Sequence, residues 1–143
     1  MALPNPEPGL VVCYSYLWHD EHIAGRDEGL KSRPSVIVLA VEREIDGATL
    51  VTVLPITHSA PQDPKGAVEI PPRVKRHLGL DGERSWIIVS EGNEFVWPGY
   101  DLHKRAHSNR YDYGVLPGRM FDQVRTAFLE WIKAARARTT SRD

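Results

Sequence analysis

The stretch that decides the fold runs from Lys31 to His58 and reads KSRPSVIVLAVEREIDGATLVTVLPITH. Two runs rich in β-branched and aliphatic residues, 35–41 and 50–56, flank Asp46-Gly47, a dipeptide that favours the turn of a β-hairpin. The first run is apolar almost throughout, as expected of a strand that is covered on both faces. The segment therefore predicts two long antiparallel strands at the centre of a sheet.

The two open ends of this hairpin should lie close together, which brings Arg33 near Thr57. A two-residue loop at Asp46-Gly47 would place these side chains on opposite faces of the sheet. A three-residue loop with a glycine bulge would place them on the same face, because a shift of one residue reverses the face of every side chain. A site that uses both residues requires the second register.

Shorter elements surround the hairpin. A prolyl start at Pro71 and the glycine at position 79 delimit a short helix ending at Leu78. Apolar residues at helical spacing predict a C-terminal amphipathic helix over 120–135. Further strands are expected at 11–18, 67–70, 85–90 and, more weakly, 94–97; long loops are expected at 19–31 and 99–114, and a frayed tail at 136–143.

These elements predict one domain over residues 1–143, with an ordered core at about 9–135. The expected fold is a β-rich, mainly antiparallel, SH3-like small barrel with a short helix and a C-terminal amphipathic helix. An open α+β sheet is the alternative. A chain of 143 residues, 41% hydrophobic and 26% charged, is the size and composition of an ordinary globular domain.

The amino-acid composition also bears on the cellular compartment of the protein. Cys13 is the single cysteine, which excludes an internal disulfide and a cysteine-based zinc site and fits a reducing compartment. The start of the chain lacks the pattern of a signal peptide, and no apolar stretch approaches the length that spans a bilayer. We therefore expect a cytoplasmic protein without a membrane partner.

The charge balance argues against a protein that simply coats nucleic acid. The formal net charge is −1, whereas such proteins need a strongly positive field. The basic residues are nevertheless clustered, around 73–77, 103–110 and 133–142, which leaves room for a local basic groove.

Four motifs together resemble the PemK/MazF family, the toxin halves of bacterial toxin–antitoxin pairs. They are Gly-Leu-Val-Val at 9–12, Lys-Ser-Arg-Pro-Ser-Val-Ile-Val at 31–38, Leu-Pro-Ile-Thr-His at 54–58 and Leu-Gly-Leu at 78–80. The resemblance covers roughly residues 9–89, and the C-terminal helix fits in position and type. Family members commonly have Gly-Asp near the first strand, where this chain has Gly9-Leu10.

The resemblance implies an SH3-like barrel, usually a homodimer, that cuts single-stranded mRNA without a metal or other cofactor and is inhibited by a cognate antitoxin. The 2′-hydroxyl attacks the adjacent phosphate and leaves a cyclic phosphate and a 5′-hydroxyl. Carried over by motif, Arg33 stabilises the developing charge and Thr57 hydrogen-bonds a phosphate oxygen. A planar, permanently charged guanidinium suits phosphate, and such placed donors are often the largest catalytic contribution.

The neighbouring His58 is a candidate general base, because histidine titrates near neutral pH; an ordinary turn histidine is the alternative. RNA contacts are expected from five further residues: His19, His22, Lys31, Arg110 and Tyr111. Exposed aromatic and basic side chains can stack on or pair with unstacked bases. The alternative for the last two is that they anchor a long loop.

Three functions therefore compete. The first is the metal-independent endoribonuclease, and the second is a non-catalytic SH3-like module that binds RNA or a peptide, an inactive toxin relative. The third is a metal-dependent hydrolase built on His19 and His22. Two histidines three apart in a loop are a weak metal signal without a third ligand, so we expect no metal site.

Overall fold

The computed structural model describes residues 3–19, 32–134 and 138–141 of the chain. Within these residues, eight strands form a mainly antiparallel sheet accompanied by two α-helices. The strands are β1 (Leu10–Tyr14), β2 (Arg33–Glu42), β3 (Thr49–Thr57), β4 (Ala67–Glu69), β5 (Trp86–Ile88), β6 (Glu91–Val96), β7 (Asp112–Val115) and β8 (Arg138–Ser141); the helices are α1 (Pro72–Leu78) and α2 (Gly118–Lys133). The predicted β-rich, mainly antiparallel fold with a short helix and a C-terminal helix is confirmed.

Strand β3 is the centre of the sheet. It pairs with β2 along one edge, and its other edge is shared by β6, at residues 50–53, and β5, at residues 56–57. The main path of neighbours is β4-β5-β3-β2-β1-β7. Among the described strands no pairing joins β4 to β7, so the sheet is not closed, and the barrel stays a prediction.

The sheet carries a hydrophobic cluster on each side. The helix-side cluster joins the sheet to α1 and α2, and its fully buried members are Val11, Val36, Val38, Leu54, Ile70, Leu78, Ile87, Val89, Val124 and Phe128. The loop-side cluster packs under residues 97–111, and it contains Leu10, Val12, Tyr14, Tyr16, Ile37, Val51, Val53, Phe95 and Leu102. Covering on both faces explains why residues 35–38 of β2 and 51–56 of β3 are mostly apolar without a strict alternation; nearer the turn, Leu39 and Val41 of β2 are exposed.

Both predicted helices are present: α1 ends at Leu78 as predicted, whereas α2 begins and ends two residues before the predicted range 120–135. Gly79 adopts the left-handed conformation (φ +69°) just after α1, and its N–H donates to the Arg76 carbonyl. In α2, Met120, Val124 and Phe128 recur every fourth residue and are buried against the sheet. None of the described helices is long and apolar enough to cross a lipid bilayer.

The hairpin turn differs from both expected loops. Its loop has four residues, 44–47, because the Arg43 N–H donates to the Ala48 carbonyl at 2.8 Å. The Gly47 N–H donates to the Arg43 carbonyl at 2.8 Å, and Gly47 has a φ of +69°, which glycine adopts without strain. An even number of loop residues would, by itself, place Arg33 and Thr57 on opposite faces.

Three predictions of strand extent were wrong. Strand β1 ends at Tyr14 rather than continuing to residue 18. Strand β7 begins inside the predicted loop 99–114 and ends one residue beyond it, and β8 lies in the predicted frayed tail. Neither has a β-branched apolar run; β7 forms because β1 offers a free edge, and β8 forms by parallel pairing with β6. Pairing between distant segments, not local propensity, creates both strands.

Candidate functional site

A β-bulge within β2 sets which residues meet at the open end of the hairpin. Near the turn, Leu39 pairs with Thr52, whereas beyond the bulge Ile37 pairs with Val53. The extra residue, Val38, shifts the register by one. Continued to the strand end, the shifted register places Arg33 opposite Thr57, and directly opposed side chains project from the same face.

Arg33, Thr57 and His58 consequently line one cleft of about 430 Å³. Trp18 and Ile88 supply its apolar walls, and the segment Ser59, Ala60 and Pro61 completes it. The structure therefore brings together the three residues that the sequence singled out for catalysis. Arg33 and Thr57 lie on the same face because of a bulge inside β2, not because of a glycine bulge at the turn.

Arg33 is a half-buried residue, and its guanidinium lies against Trp18, with Cζ 5.1 Å from the centre of the indole ring. This is the distance of a cation–π contact, which restrains the guanidinium without consuming its permanent charge. Backbone pairing of Arg33 with Tyr14 of β1 fixes the other end of the side chain. The arginine is therefore held at the cleft from both sides.

Leu17, the residue before Trp18, is fixed by Asn93, a fully buried residue of β6. The Leu17 N–H donates to Asn93 Oδ1 at 2.8 Å, and Asn93 Nδ2 donates to the Leu17 carbonyl at 2.8 Å. The Asn93 amide thereby makes the two backbone hydrogen bonds that a neighbouring strand would otherwise make with the segment after β1. Glu91 Oε2 adds two acceptor contacts, from the Tyr16 hydroxyl at 3.0 Å and from the His19 N–H at 2.9 Å.

Thr57 ends β3 with its hydroxyl oriented by the following turn. The Ser59 N–H donates to Thr57 Oγ1 at 3.2 Å. Because a hydroxyl can accept and donate at once, this bond leaves the Thr57 hydrogen able to donate to an acceptor in the cleft. A phosphate oxygen is such an acceptor.

His58 belongs to a charged network that reaches into the protein interior. Its Nε2 lies 2.9 Å from Asp81 Oδ2 and 3.5 Å from Glu83 Oε2. On the far side, the Lys75 ammonium, whose side chain is only 6% exposed, donates to Asp81 Oδ1 at 2.7 Å. Asp81 is therefore the link between a buried cation and the histidine at the cleft.

The network lowers the pKa of Asp81 from its ordinary value of 3.8 to about 2. The hydrogen bond from Lys75 is the main cause, and bonds from His58 and the Glu83 N–H act in the same direction. A depressed carboxyl pKa stabilises the folded state above the unfolded pKa, and this contribution is lost as the pH falls through the folded pKa.

Substitution Asp81→Asn is expected to destabilise the protein at neutral pH, and the difference from wild type should shrink as the pH falls from about 4 to about 2. Urea unfolding of both proteins across this range would measure it. The effect is modest, because the Asp81 side chain is half exposed and solvent screens its charge. Asp122→Asn, at an exposed position on α2, is the matched control. A difference independent of pH would contradict the prediction.

The carboxylates of Asp81 and Glu83, together with His58, are residue types that can bind a metal ion. Among the described residues, His58, Asp81 and Glu83 offer ligand atoms that all lie within 4.8 Å of one another. Each is exposed, and Asp81 already accepts hydrogen bonds from Lys75 and His58. A cation bound here would have to share the Asp81 carboxylate with the buried Lys75 ammonium, and the repulsion between the two positive charges is unfavourable.

The residues predicted to contact RNA are placed differently. His22 and Lys31 lie outside the described residues, and the histidine pair proposed for a metal is thus described only at His19. Arg110 is exposed and pairs with Asp112 at 2.8 Å. Tyr111 packs on the loop-side cluster, and its carbonyl accepts from the Cys13 N–H at 2.8 Å. In the part of the chain that the structure describes, neither of these two lines the cleft.

No protein-family model, curated protein or solved structure matches the chain. Interpretation of the cleft therefore depends on its own geometry: a restrained guanidinium, a hydroxyl and an imidazole on one surface.

Sequence reasoning missed Trp18, Lys75 and Asp81. The sequence pattern places Trp18 in a long first strand and Lys75 only among the basic cluster at 73–77. Asp81-Gly82 is a turn signal in the sequence, but His58 and Asp81 are 23 positions apart and nothing in the sequence between them indicates that they meet. Only the pairing of β3 with β5 brings the two segments together.

Proposed function

We propose that the protein is a metal-independent endoribonuclease, the toxin component of a PemK/MazF-type toxin–antitoxin pair, acting on single-stranded mRNA. The observation that carries the proposal is that Arg33, Thr57 and His58 line one cleft. A guanidinium, a hydroxyl donor and an imidazole together supply what in-line attack on a phosphodiester requires: charge stabilisation, orientation and proton transfer.

In the proposed step, the ribose 2′-oxygen forms a bond to the adjacent phosphorus and the bond from phosphorus to the 5′-oxygen breaks. The 2′-hydroxyl proton passes to His58. The 5′-oxygen leaves with the bonding electron pair, hydrogen-bonded by the Arg33 guanidinium, and takes up a proton from solvent, which the His58 imidazolium returns. The products are a 2′,3′-cyclic phosphate and a 5′-hydroxyl, and no water is consumed.

Each group has a role that its surroundings support. Arg33 is aimed by Trp18 and stabilises the negative charge that grows on the phosphoryl oxygens in the transition state. Thr57 donates to one of these oxygens, because its hydroxyl is oriented by the Ser59 N–H and its hydrogen is left for an acceptor in the cleft. The half-exposed imidazole of His58 lies at the rim, where a substrate hydroxyl can reach it.

The rest of the proposal follows the same family resemblance. It comprises an SH3-like barrel, a homodimer, a cytoplasmic location, and a cognate antitoxin that blocks the cleft. The non-catalytic RNA-binding module is the second candidate. The observation that favours it is that Trp18 is already engaged with Arg33, an aromatic–basic pair of the kind that holds single-stranded RNA without cutting it.

Purified, antitoxin-free protein is expected to cut a long single-stranded RNA at discrete positions in excess EDTA, leaving 5′-hydroxyl ends. None of the proposed catalytic groups needs a metal, so cleavage with and without the chelator should agree within about twofold. Mapping the ends of the fragments, and testing whether a polynucleotide kinase can label them without prior phosphatase treatment, identifies the chemistry.

Two results would contradict the proposal that the protein is a metal-independent endoribonuclease. Intact RNA from protein that is folded by circular dichroism, but retains RNA in a filter-binding assay, would favour the binding module. Cleavage that stops with EDTA and returns with added divalent cation would favour the metal-dependent hydrolase. A double-stranded RNA of the same sequence is the substrate control and should stay intact.

A further inference from the structure

We propose that Asp81, clamped by Lys75, is a positioning residue that fixes the tautomer of His58, so that Nδ1 is the ring atom that accepts the substrate proton. The catalytic consequence rests on the proposed nuclease function. The assignment of the tautomer rests on the structure alone and can be measured without RNA.

The clamp begins with a fully satisfied ammonium. Lys75 Nζ contacts three acceptors: Asp81 Oδ1 at 2.7 Å, Ser85 Oγ at 2.6 Å and the Glu83 carbonyl. An ammonium has three hydrogens, so each has one acceptor. Because the Lys75 side chain is only 6% exposed, water cannot replace these partners at low cost, and the loop from 81 to 85 is tied to α1.

The carboxylate of Asp81 is therefore oriented rather than free to rotate. Its Oδ1 accepts from Lys75 and also from the Glu83 N–H at 3.1 Å, which is the geometry of an Asx turn. His58 Nε2 lies 2.9 Å from Oδ2 and 3.1 Å from Oδ1. The protein thus holds the carboxylate through Oδ1, and both oxygens lie within hydrogen-bond distance of the imidazole, with Oδ2 the nearer.

This arrangement determines which imidazole nitrogen carries the proton. An ionised carboxylate can only accept, so His58 Nε2 must be the donor. In neutral His58 the lone pair then belongs to Nδ1, which becomes the base. When Nδ1 takes the 2′-hydroxyl proton, the imidazolium that forms keeps its Nε2–H on Asp81, and the negative carboxylate stabilises the new charge.

Asp81→Asn should change the tautomer of His58, because an amide has one acceptor end and one donor end, whereas both ends of a carboxylate accept. Lys75 and the Glu83 N–H both donate at the Oδ1 position, so the Asn oxygen should take that place. The amide NH₂ then takes the Oδ2 position, which is the nearer of the two to His58 Nε2 (2.9 Å against 3.1 Å), so we expect Nε2 to accept and the ring proton to move to Nδ1. The substitution should reverse the tautomer with little change of shape.

The test is ring ¹⁵N NMR of the full chain at about pH 8, above the ordinary histidine range, where tautomers are distinguished by nitrogen shifts. Wild-type His58 should be predominantly Nε2–H, and Asp81→Asn should be predominantly Nδ1–H. His58→Gln assigns the signals. His77, whose Nε2 lies 3.2 Å from the Val115 carbonyl, is an internal reference that should not change.

Glu83→Gln is the matched control, because it neutralises a second carboxylate 3.5 Å from the same nitrogen. It should leave the His58 tautomer unchanged, since the Glu83 carboxylate is exposed and Lys75 binds only the backbone carbonyl of this residue. In parallel, RNA cleavage should fall by about 10²-fold or more in Asp81→Asn. In a His58→Gln background, adding Asp81→Asn should change cleavage by less than about twofold.

The outcomes separate the two proposals. Wild-type His58 found as Nδ1–H, or Asp81→Asn without reversal, overturns the positioning role; the wild-type measurement decides this even if the variant does not fold. Reversal with unchanged cleavage overturns the catalytic consequence. Wild-type protein that leaves RNA intact overturns the nuclease proposal, while the NMR result still decides the tautomer.

Discussion

Arg33→Ala is expected to reduce RNA cleavage by about 10²–10³-fold or more while leaving the protein folded, since it removes the main donor to the transition-state charge. The side chain is half-buried at the end of β2, and the backbone pairing of this position with Tyr14 does not depend on the guanidinium. Initial rates on a defined single-stranded RNA, with circular dichroism for folding, measure both parts.

Two further variants sharpen this prediction. Arg43→Ala is the matched control: it removes an arginine at the other end of the same hairpin, where the side chain is exposed and pairs with Asp46 at 2.7 Å. Its cleavage rate should stay within about twofold of wild type. Arg33→Lys retains the charge but not the planar fork, so it should recover only part of the loss. Normal cleavage by folded Arg33→Ala would eliminate the proposed site.

Asn93→Ala is expected to lower the free energy of unfolding by about 2–4 kcal/mol, because it leaves a buried N–H and a buried carbonyl without partners. Both groups belong to Leu17, which is itself only 1% exposed, so solvent does not reach them in the folded protein. Urea unfolding followed by tryptophan fluorescence would measure the loss. Cleavage should also fall, since Trp18 is the next residue and it positions Arg33.

Asn93→Asp is an informative partner variant. A carboxylate at this position still accepts from the Leu17 N–H but cannot donate to the Leu17 carbonyl, and it adds a charge in a fully buried site. It should therefore be at least as destabilising as alanine. Asn109→Ala, at an exposed loop position, should stay within about 0.5 kcal/mol of wild type. An unchanged urea midpoint for Asn93→Ala would show that the segment after β1 is held by other contacts.

The candidate site was only partly predictable from the sequence. A hairpin brings its open ends together whatever its loop, so the proximity of Arg33 and Thr57 followed from the strand pattern alone. Their common face did not, because the bulge at Val38 lies in an unbroken aliphatic run that contains no glycine to mark it. The bulge depends on how β2 packs on both of its neighbours, which local sequence does not specify.

The sequence by itself determined the two central strands, both helices and the meeting of residues 33 and 57, because hydrophobic periodicity and turn residues act locally. Only the tertiary structure decided the edges of the sheet and the surroundings of the histidine. Strands β7 and β8 exist through pairing with distant strands. Lys75, Asp81 and His58 meet because the chain between α1 and β5 folds back beside the end of β3, and a buried ammonium requires acceptors wherever the fold supplies them.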